Sequence, residues 1–288
     1  MTDTADRLRR AASTWHLTVG EPLAGGTSSA VFAATDEAGR DLVVKLPAAR
    51  AATGNPTGDE AAALSLWAST GAVVRLVDAS ADALLLIRAR PGLVHPWSGA
   101  AGVDDAVAVA AELLPRLWTT SPGRYPFPSS TEVYPEDERV AREDAASEQR
   151  DRGEPDRGAP ALRRLPAAAA AVENLLTSCD QRRLLHGDFI TKNLVSDASS
   201  PSGWVALDPL PMTGDPAAEV AAFAAYHPAE QILPIAEKLA RAVRLDVRRT
   251  LRWAAVWTVH QAAQAWRDDQ GMLEELVVSP SLDDLLTR

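Results

Sequence analysis

The first third of the chain alternates apolar and polar residues in short runs, which predicts strands. Residues 15–44 pass from alternation into a glycine turn and out again, a pattern typical of a hairpin around a small-residue loop. Helix formers occupy residues 59–67. Further strands are predicted at residues 41–46, 73–77 and 83–88. We therefore expect residues 1–90 to form a five-stranded antiparallel sheet with one main helix.

The pattern becomes helical after the dipeptide Pro91-Gly92, which is a strong breaker of regular structure. We predict a domain boundary there, with residues 1–90 as one lobe and residues 91–288 as the other. In the second lobe, alanine-rich runs predict helices over about residues 104–118 and 161–177, short strands follow near residues 193–195 and 204–207, and the chain is mostly helical from there to its C-terminus.

Two stretches of the second lobe lack a clear period. Residues 121–134 are rich in Pro, Ser and Tyr and predict a loop. Residues 136–157 are nearly all charged or small and carry no apolar stripe. They are expected to form either a solvated helix or a mobile loop.

Composition places the chain among ordinary soluble globular proteins. Its 288 residues are 46% hydrophobic and 24% charged, a natural size for one two-lobed domain or two small ones. The formal net charge of −10 argues against a nucleic-acid partner, because affinity for phosphate backbones depends on clustered Lys and Arg. An acidic surface favours cationic ligands, although it also serves solubility alone.

The chain shows no mark of export or membrane insertion. Its one cysteine, Cys179, cannot form an internal disulfide, and its first six residues lack the basic-then-apolar order of a signal peptide. It contains no apolar run of the length that spans a bilayer. We predict a cytoplasmic protein without a membrane partner.

The strongest candidate for chemistry is the segment Leu184–Val195, in which His186, Asp188 and Asn193 lie between apolar runs. The His-x-Asp-x4-Asn spacing matches a kinase catalytic loop, and Asp208, after the next predicted strand, matches the metal-binding acid of such a site. The His-Gly-Asp turn alone would fit an ordinary turn after a buried strand. Its intervals to Asn193 and Asp208 favour the catalytic interpretation.

Phosphoryl transfer explains why these residue types occur together. The reaction mainly requires a hydroxyl held in line with the γ-phosphorus and neutralisation of charge on the phosphate oxygens. The Asp188 carboxylate can orient that hydroxyl and accept its proton. Asn193 and Asp208 offer the hard oxygen ligands that Mg²⁺ prefers. We expect His186 to brace the loop through a hydrogen bond rather than to titrate.

These residues resemble the aminoglycoside phosphotransferase family, in particular its streptomycin 6-kinase and hydroxyurea-kinase branch. That branch has a His-Gly-Asp loop ending in Asn, followed by an Ile-Asp-Pro strand end and a Gly-Asp-Pro motif. The matching residues here are His186–Asp188, Asn193, Leu207–Pro209 and Gly214–Pro216. The resemblance implies a protein-kinase-like two-lobed α/β (α+β) fold, with a five-stranded sheet plus helix, a mainly helical C-lobe, and ATP and Mg²⁺ between the lobes.

The resemblance also implies roles for residues of the N-lobe. Lys45 would contact the α- and β-phosphates and pair with Glu60 on the following helix, whereas in isolation Lys45 reads as a snorkelling edge lysine. The loop over the phosphates would consist of Gly25, Gly26, Thr27 and Ser28. The hinge whose backbone hydrogen-bonds adenine would consist of Ile87, Arg88, Ala89 and Arg90.

Three further residues have a structural interpretation that we favour. Asp215 precedes Pro216 and predicts the N-cap of a helix. Trp253 and Trp257 lie four residues apart, so core packing is expected for both, with lining of the acceptor pocket as the alternative.

Two departures from the family pattern concern the acceptor. Residues 189–192 read Phe-Ile-Thr-Lys in place of the usual Leu-His-Pro-Gly-like stretch, and Leu210 replaces the common basic residue after Asp-Pro. The candidate catalytic acids are intact. The departures therefore weaken the assignment of an acceptor and leave phosphoryl transfer in place.

We predict an ATP- and Mg²⁺-dependent O-phosphotransferase for a small hydroxylated molecule, first a cationic aminoglycoside or aminocyclitol of the streptomycin type. A kinase of a metabolic sugar, amino sugar or amino alcohol is the alternative within the same chemistry. A nucleotide-binding pseudokinase with a regulatory role is the alternative from another class. A metal-dependent hydrolase built on His186 and Asp188 is disfavoured, because the five histidines form no second cluster in the sequence.

Overall fold

The computed structural model describes residues 2–23, 29–47, 56–96, 99–135, 139, 159–264 and 269–287. The chain divides into two compact units. The sheet unit comprises Met1–His95, Thr120–Tyr125 and Lys192–Pro211, and the helical unit comprises Pro96–Thr119, Pro126–Thr191 and Met212–Arg288. The predicted lobes, residues 1–90 and 91–288, stay a prediction.

The elements are numbered in chain order. The strands are β1 (Thr18–Pro22), β2 (Ser29–Thr35), β3 (Asp41–Pro47), β4 (Leu76–Ala79), β5 (Leu84–Ile87), β6 (Pro91–Val94), β7 (Arg183–Leu185), β8 (Leu194–Asp197), β9 (Trp204–Ala206) and β10 (Met212–Gly214). The α-helices are α1 (Thr2–Thr14), α2 (Pro56–Trp67), α3 (Gly99–Trp118), α4 (Ala159–Thr177), α5 (Pro216–Ala225), α6 (Ile232–Ala242), α7 (Val247–Gln264), α8 (Gln270–Val277) and α9 (Pro280–Thr287).

The sheet unit contains the five-stranded antiparallel sheet that the alternating pattern predicts, in the order β1-β2-β3-β5-β4. Strand β3 lies at its centre. Because successive side chains of a strand point to opposite faces, Leu42, Val44 and Leu46 enter the core on one face, and Lys45 points to the other. The alternation of β3 thus places its only lysine away from the main apolar cluster.

Helix α1 covers the core face of this sheet, and the apolar pattern does not predict it. Ala11 lies in the same buried cluster as Leu42, with Leu8 packed beside it. Arg7 extends from the helix and donates hydrogen bonds to the carbonyl oxygens of Pro47 (2.7 Å) and Asp82 (2.6 Å). The N-terminal helix is therefore tied to the sheet by both apolar and polar contacts.

A three-stranded sheet in the order β6-β8-β9 completes the sheet unit. The predicted breaker Pro91-Gly92 lies inside its first strand, where proline is tolerated because it is the first residue. The end of β9 is joined to residues before β4, since Ala206 N–H donates to Ala72 (2.9 Å) and Val74 N–H donates to Ala206 (3.1 Å). These bonds fix the position at which the chain leaves β9 towards Asp208.

The helical unit is built around α7, which contacts α4, α5, α6, α8 and α9. A two-stranded antiparallel sheet pairs β7 with β10. The prediction of a loop over residues 121–134 is wrong at its end, because residues 130–135 are helical. Apart from Arg139, residues 136–157 lie outside the described residues. No helix in the described part of the chain is long and apolar enough to cross a membrane.

Candidate active site

Asp188 lies in a tight turn directly after the buried strand β7. Gly187 adopts φ +79°, a left-handed conformation that glycine takes without the steric cost of a side chain. The turn leaves Asp188 half-buried between the buried side chains of His186 and Phe189. His186 and Phe189 form an edge-to-face contact with ring centroids 5.6 Å apart. The packing of His186 and Phe189 therefore fixes the backbone on both sides of the half-buried Asp188.

A second carboxylate, Glu219 on α5, contacts this loop and is not predicted from the sequence. Its Oε1 accepts the Gly187 N–H at 2.9 Å, and the His186 N–H also donates to this carboxylate. Its Oε2 accepts the indole N–H of Trp118 at 2.7 Å. The signal available in the sequence is a single acid within the otherwise apolar run of residues 217–225.

Lys45 is buried in the sheet unit between two carboxylates. Its Nζ lies 2.7 Å from both carboxylate oxygens of Glu60, and the side chains of Lys45 and Glu60 are each 6% exposed. The Oδ1 of Asp208 lies 3.0 Å from the same Nζ. Lys45 is thus ion-paired inside the protein rather than snorkelling at a sheet edge.

The electrostatics of this cluster keep the lysine charged. Burial alone would lower the pKa of Lys45, but the carboxylates of Glu60 and Asp208 outweigh it and hold the pKa above its ordinary value. Lys45 therefore stays a cation at neutral pH. A fixed cation of this kind suits an anionic phosphate group.

Asn193 and Asp208 are brought together by the pairing of β8 with β9. Asn193 directly precedes β8, Asp208 follows β9, and Leu207 N–H donates to the Asn193 carbonyl oxygen at 2.8 Å. Asn193 is buried, and the Asp208 side chain is 37% exposed. Asp208 has φ +56°, a left-handed conformation that Asp and Asn adopt more readily than most residues.

The predicted hinge begins with Ile87, the last residue of β5, and part of its backbone already forms hydrogen bonds within the protein. Ile87 N–H donates to the Arg75 carbonyl oxygen (2.9 Å), and Arg88 N–H donates to that of Asp41 (3.1 Å). Arg90 uses its carbonyl oxygen to accept the Ala198 N–H (2.7 Å). None of these bonds involves the N–H of Ala89.

The structure places the predicted site residues unequally. It brings Lys45, Glu60 and Asp208 into direct contact, with Asn193 beside Asp208 through the strand pairing. Asp188 belongs to the helical unit. Their roles in binding and catalysis stay predictions. The predicted phosphate loop, Gly25, Gly26, Thr27 and Ser28, lies outside the described residues.

Asp215 and the two tryptophans have the structural roles expected of them. Asp215 is the N-cap of α5, with Oδ1 accepting the Ala217 N–H at 3.0 Å. Its Oδ2 accepts the indole N–H of Trp253 (2.7 Å) and Nε–H of Arg249 (2.6 Å). Trp253 is buried, and Trp257 is half-buried, with its indole N–H 3.3 Å from the Ala218 carbonyl oxygen.

A model of the aminoglycoside/hydroxyurea antibiotic resistance kinase family matches residues 14–271 of the chain. A search of curated proteins finds no significant match.

Solved structures of similar fold include small-molecule kinases. A choline/ethanolamine kinase family protein from Mesorhizobium loti is 15% identical, covers 99% of this chain and 98% of its own, and has a TM-score of 0.63. The choline kinase LicA from Streptococcus pneumoniae is 15% identical, with 98% of this chain and 99% of that chain covered and a TM-score of 0.59. The aminoglycoside phosphotransferase APH(3'')-Id from Streptomyces rimosus, in complex with ADP and streptomycin, is 21% identical. The match covers 92% of this chain and 98% of that chain, with a TM-score of 0.54. At these identities the likeness concerns the fold alone, and it confirms the predicted kinase-like fold.

Proposed function

We propose that this chain, which belongs to the aminoglycoside/hydroxyurea antibiotic resistance kinase family, phosphorylates a hydroxyl of a small cationic aminoglycoside or aminocyclitol with ATP as donor. The family match confirms the predicted enzyme class, a phosphotransferase with a hydroxyl acceptor. The observation that carries the proposal is the buried cluster of Lys45, Glu60 and Asp208. It supplies a charged lysine beside a half-exposed carboxylate, as a bound nucleotide and its metal require.

The nucleotide would be held by Lys45 and the hinge. The Lys45 ammonium, kept charged by its two carboxylates, would contact the phosphates, with Glu60 fixing its position. We assign the adenine edge to the N–H groups of Ala89 and Arg90, because those of Ile87 and Arg88 donate within the sheet unit. Gly25, Gly26, Thr27 and Ser28 complete the proposed nucleotide site.

Asn193 and Asp208 fit the ligand set of Mg²⁺. They offer one amide oxygen and one carboxylate, and the described residues contain no cluster of three or more His, Cys, Asp or Glu side chains placed to hold a metal ion. Mg²⁺ commonly takes one or two protein ligands and completes its coordination with water and substrate phosphates. When bound, the ion would neutralise charge on the phosphate oxygens.

Asp188 is the residue that we assign to the acceptor hydroxyl. Its half-buried carboxylate follows a turn anchored by His186 and Phe189. A carboxylate in this position would orient the hydroxyl towards the γ-phosphorus and accept its proton as the new P–O bond forms. ADP would then leave with the electron pair of the broken bond.

The acceptor assignment depends on charge and on family. The net charge of −10 favours a cationic molecule over an anionic sugar phosphate, and the family is one of antibiotic resistance kinases. The fold relative from Streptomyces rimosus forms a complex with streptomycin and ADP. We therefore place streptomycin-like aminocyclitols first among acceptors and amino alcohols or amino sugars second.

An ADP-release assay across aminoglycosides, hydroxyurea, choline and amino sugars tests this proposal, with the product mass confirming phosphorylation. In that assay Asp188→Asn should lower turnover with the best acceptor by about 10²- to 10⁴-fold, the range for loss of a positioned base, and leave nucleotide binding unchanged. Asp180→Asn makes the same chemical change on an exposed acid and should retain activity. Near wild-type turnover by Asp188→Asn would show that the base lies elsewhere.

A further inference from the structure

Two adjacent acids near the start of helix α2 point in different directions. Successive residues of an α-helix lie about 100° apart around its axis, so Asp59 and Glu60 cannot face the same partner. Glu60 is buried and reaches Lys45, with 2.7 Å between its carboxylate and Nζ. Asp59 is half-buried, and its Oδ1 accepts the hydroxyl of Tyr125 at 2.7 Å. The beginning of α2 is therefore held from two sides.

Tyr125 comes from a part of the chain that is distant from α2 in sequence. Its contact with Asp59 spans 66 positions. The segment Thr120–Tyr125 belongs to the sheet unit, although Pro96–Thr119 before it and Pro126–Thr191 after it belong to the helical unit. The segment forms neither helix nor strand. A side-chain hydrogen bond, rather than backbone pairing, thus joins it to α2.

The Tyr125–Asp59 hydrogen bond has the chemistry of a persistent contact. Its acceptor is a carboxylate, and hydrogen bonds to charged groups are stronger than those between neutral groups. Burial, together with the hydrogen bond to Asp59 and the charge of that carboxylate, raises the pKa of Tyr125 to about 12. The hydroxyl therefore keeps its proton at neutral pH and remains a donor.

The position of this contact matters because Asp59 and Glu60 share one helical turn. A rotation of α2 about its axis that moved Glu60 away from Lys45 would also displace Asp59 from Tyr125. The other end of α2 is fixed by Trp67, which is fully buried. Tyr125 thus restrains the end of the helix that carries Glu60.

We infer that Tyr125 is a positioning residue for nucleotide binding, which through Asp59 holds α2 in the orientation in which Glu60 fixes the Lys45 ammonium. This inference rests on the proposed role of Lys45. Tyr125 itself touches neither nucleotide nor acceptor in this assignment. Without the tether, α2 would populate further orientations, and the affinity for the nucleotide would fall with the fraction of molecules that keep the competent one.

The test begins with Tyr125→Phe, which removes the hydroxyl and keeps the ring. We expect the Kd of Mg·ATP, titrated without acceptor, and KM for ATP to rise by about 3- to 10-fold, the range for loss of one hydrogen bond. With a confirmed acceptor, kcat should change little, because Lys45 would contact the phosphates before and during transfer alike. Tyr226→Phe makes the same change on a half-buried tyrosine of the helical unit and should bind Mg·ATP as wild type does. Wild-type affinity in a folded Tyr125→Phe protein would overturn the inference.

Variants of the acceptor test whether the hydroxyl acts through Asp59. Asp59→Asn keeps an acceptor oxygen, so it should bind Mg·ATP more tightly than Asp59→Ala, which has none. Asp59→Ala should resemble Tyr125→Phe, and combining the two should weaken binding no further than either alone. If the two losses multiply, the residues act independently and the inference fails.

A third comparison asks whether the tether acts through Glu60. In Glu60→Gln, Lys45 still pairs with Asp208, and Tyr125→Phe should then add little to the loss of affinity. Losses that multiply would place the effect elsewhere and contradict the inference. Unchanged ATP binding in Lys45→Met would instead refute the proposed nucleotide site. The inference alone fails if Lys45→Met weakens ATP binding and Tyr125→Phe does not.

Amide hydrogen exchange gives a readout that needs neither nucleotide nor acceptor. The amides of residues 60–63 close the first turn of α2, so they report on how firmly that turn is held. They should exchange faster in Tyr125→Phe than in wild type, whereas interior amides of α7 should exchange equally in both proteins. Equal exchange of residues 60–63 in the two proteins would show that Tyr125 does not restrain α2.

Discussion

Lys45 in the sheet unit and Glu219 in the helical unit are buried charged groups that are stabilised in different ways. In the sheet unit, the Lys45 cation lies against Glu60 and Asp208, so opposite charges compensate one another. In the helical unit, the Glu219 carboxylate is held by the N–H groups of Trp118, His186 and Gly187, with no ion pair to it among the described residues. Partial charges stabilise an ion less than a full countercharge does.

The consequence is a difference in how the two groups respond to pH. The pKa of Lys45 is held above its ordinary value, whereas burial raises that of Glu219 to about 7. Lys45 therefore stays charged throughout the neutral pH range, whereas Glu219 gains or loses a proton within that pH range. The charge of Lys45, which we propose contacts an anionic phosphate, is thus constant near neutral pH, whereas the charge of Glu219 changes there.

The largest expected effect comes from removing the carboxylate of Asp208, which contacts Lys45. Asp208→Ala should abolish turnover and weaken Mg·ATP binding, because the phosphates would lose a ligand of the proposed cation. Turnover and titration of the nucleotide with and without Mg²⁺ measure both effects. Retained turnover would show that Asp208 is not a metal ligand and serves only as a structural partner of Lys45.

Breaking the buried pair should next affect stability. Lys45→Met leaves the Glu60 carboxylate without its main partner and should cost about 3–5 kcal/mol of unfolding free energy in urea. It should also raise KM for ATP. Lys45→Met/Glu60→Gln removes both charges and should recover much of the stability without the activity. If Lys45→Met is as stable as wild type, the pair is not a compensated buried ion pair.

A smaller effect concerns the pH dependence of Glu219. Because its pKa rises from 4.5 to about 7 on folding, the folded protein binds this proton more tightly than the unfolded chain does. Stability from this group is therefore complete below about pH 4.5 and lost as pH rises towards about 7, a change on the order of 3 kcal/mol. Wild type should lose unfolding free energy relative to Glu219→Gln over this range. Parallel curves for the two proteins would contradict the shift.

Prediction from the sequence succeeds where a family motif or the alternation of a strand determines the outcome. Lys45 and Glu60 meet as the family resemblance implies, and the alternation of a strand accounts for the burial of Leu42, Val44 and Leu46. The contacts of Glu219 join residues 101 and 32 positions apart, which no local pattern encodes. Helix α1 was not predicted, because Leu8 and Ala11 are two apolar residues in a segment that is otherwise rich in polar residues. The helix is stabilised by packing these two residues on the sheet, which the local sequence does not show.

The left-handed backbone of Asp208 bears on how lineages descended from such an enzyme could lose catalysis. With φ +56°, this position tolerates Asn and Gly far better than β-branched residues, whose side chains clash there. Asparagine removes the negative charge and preserves both shape and backbone. We therefore expect an inactive descendant that kept its fold to carry Asn or Gly at position 208. A descendant with Val or Ile at this position is expected to have a less stable fold.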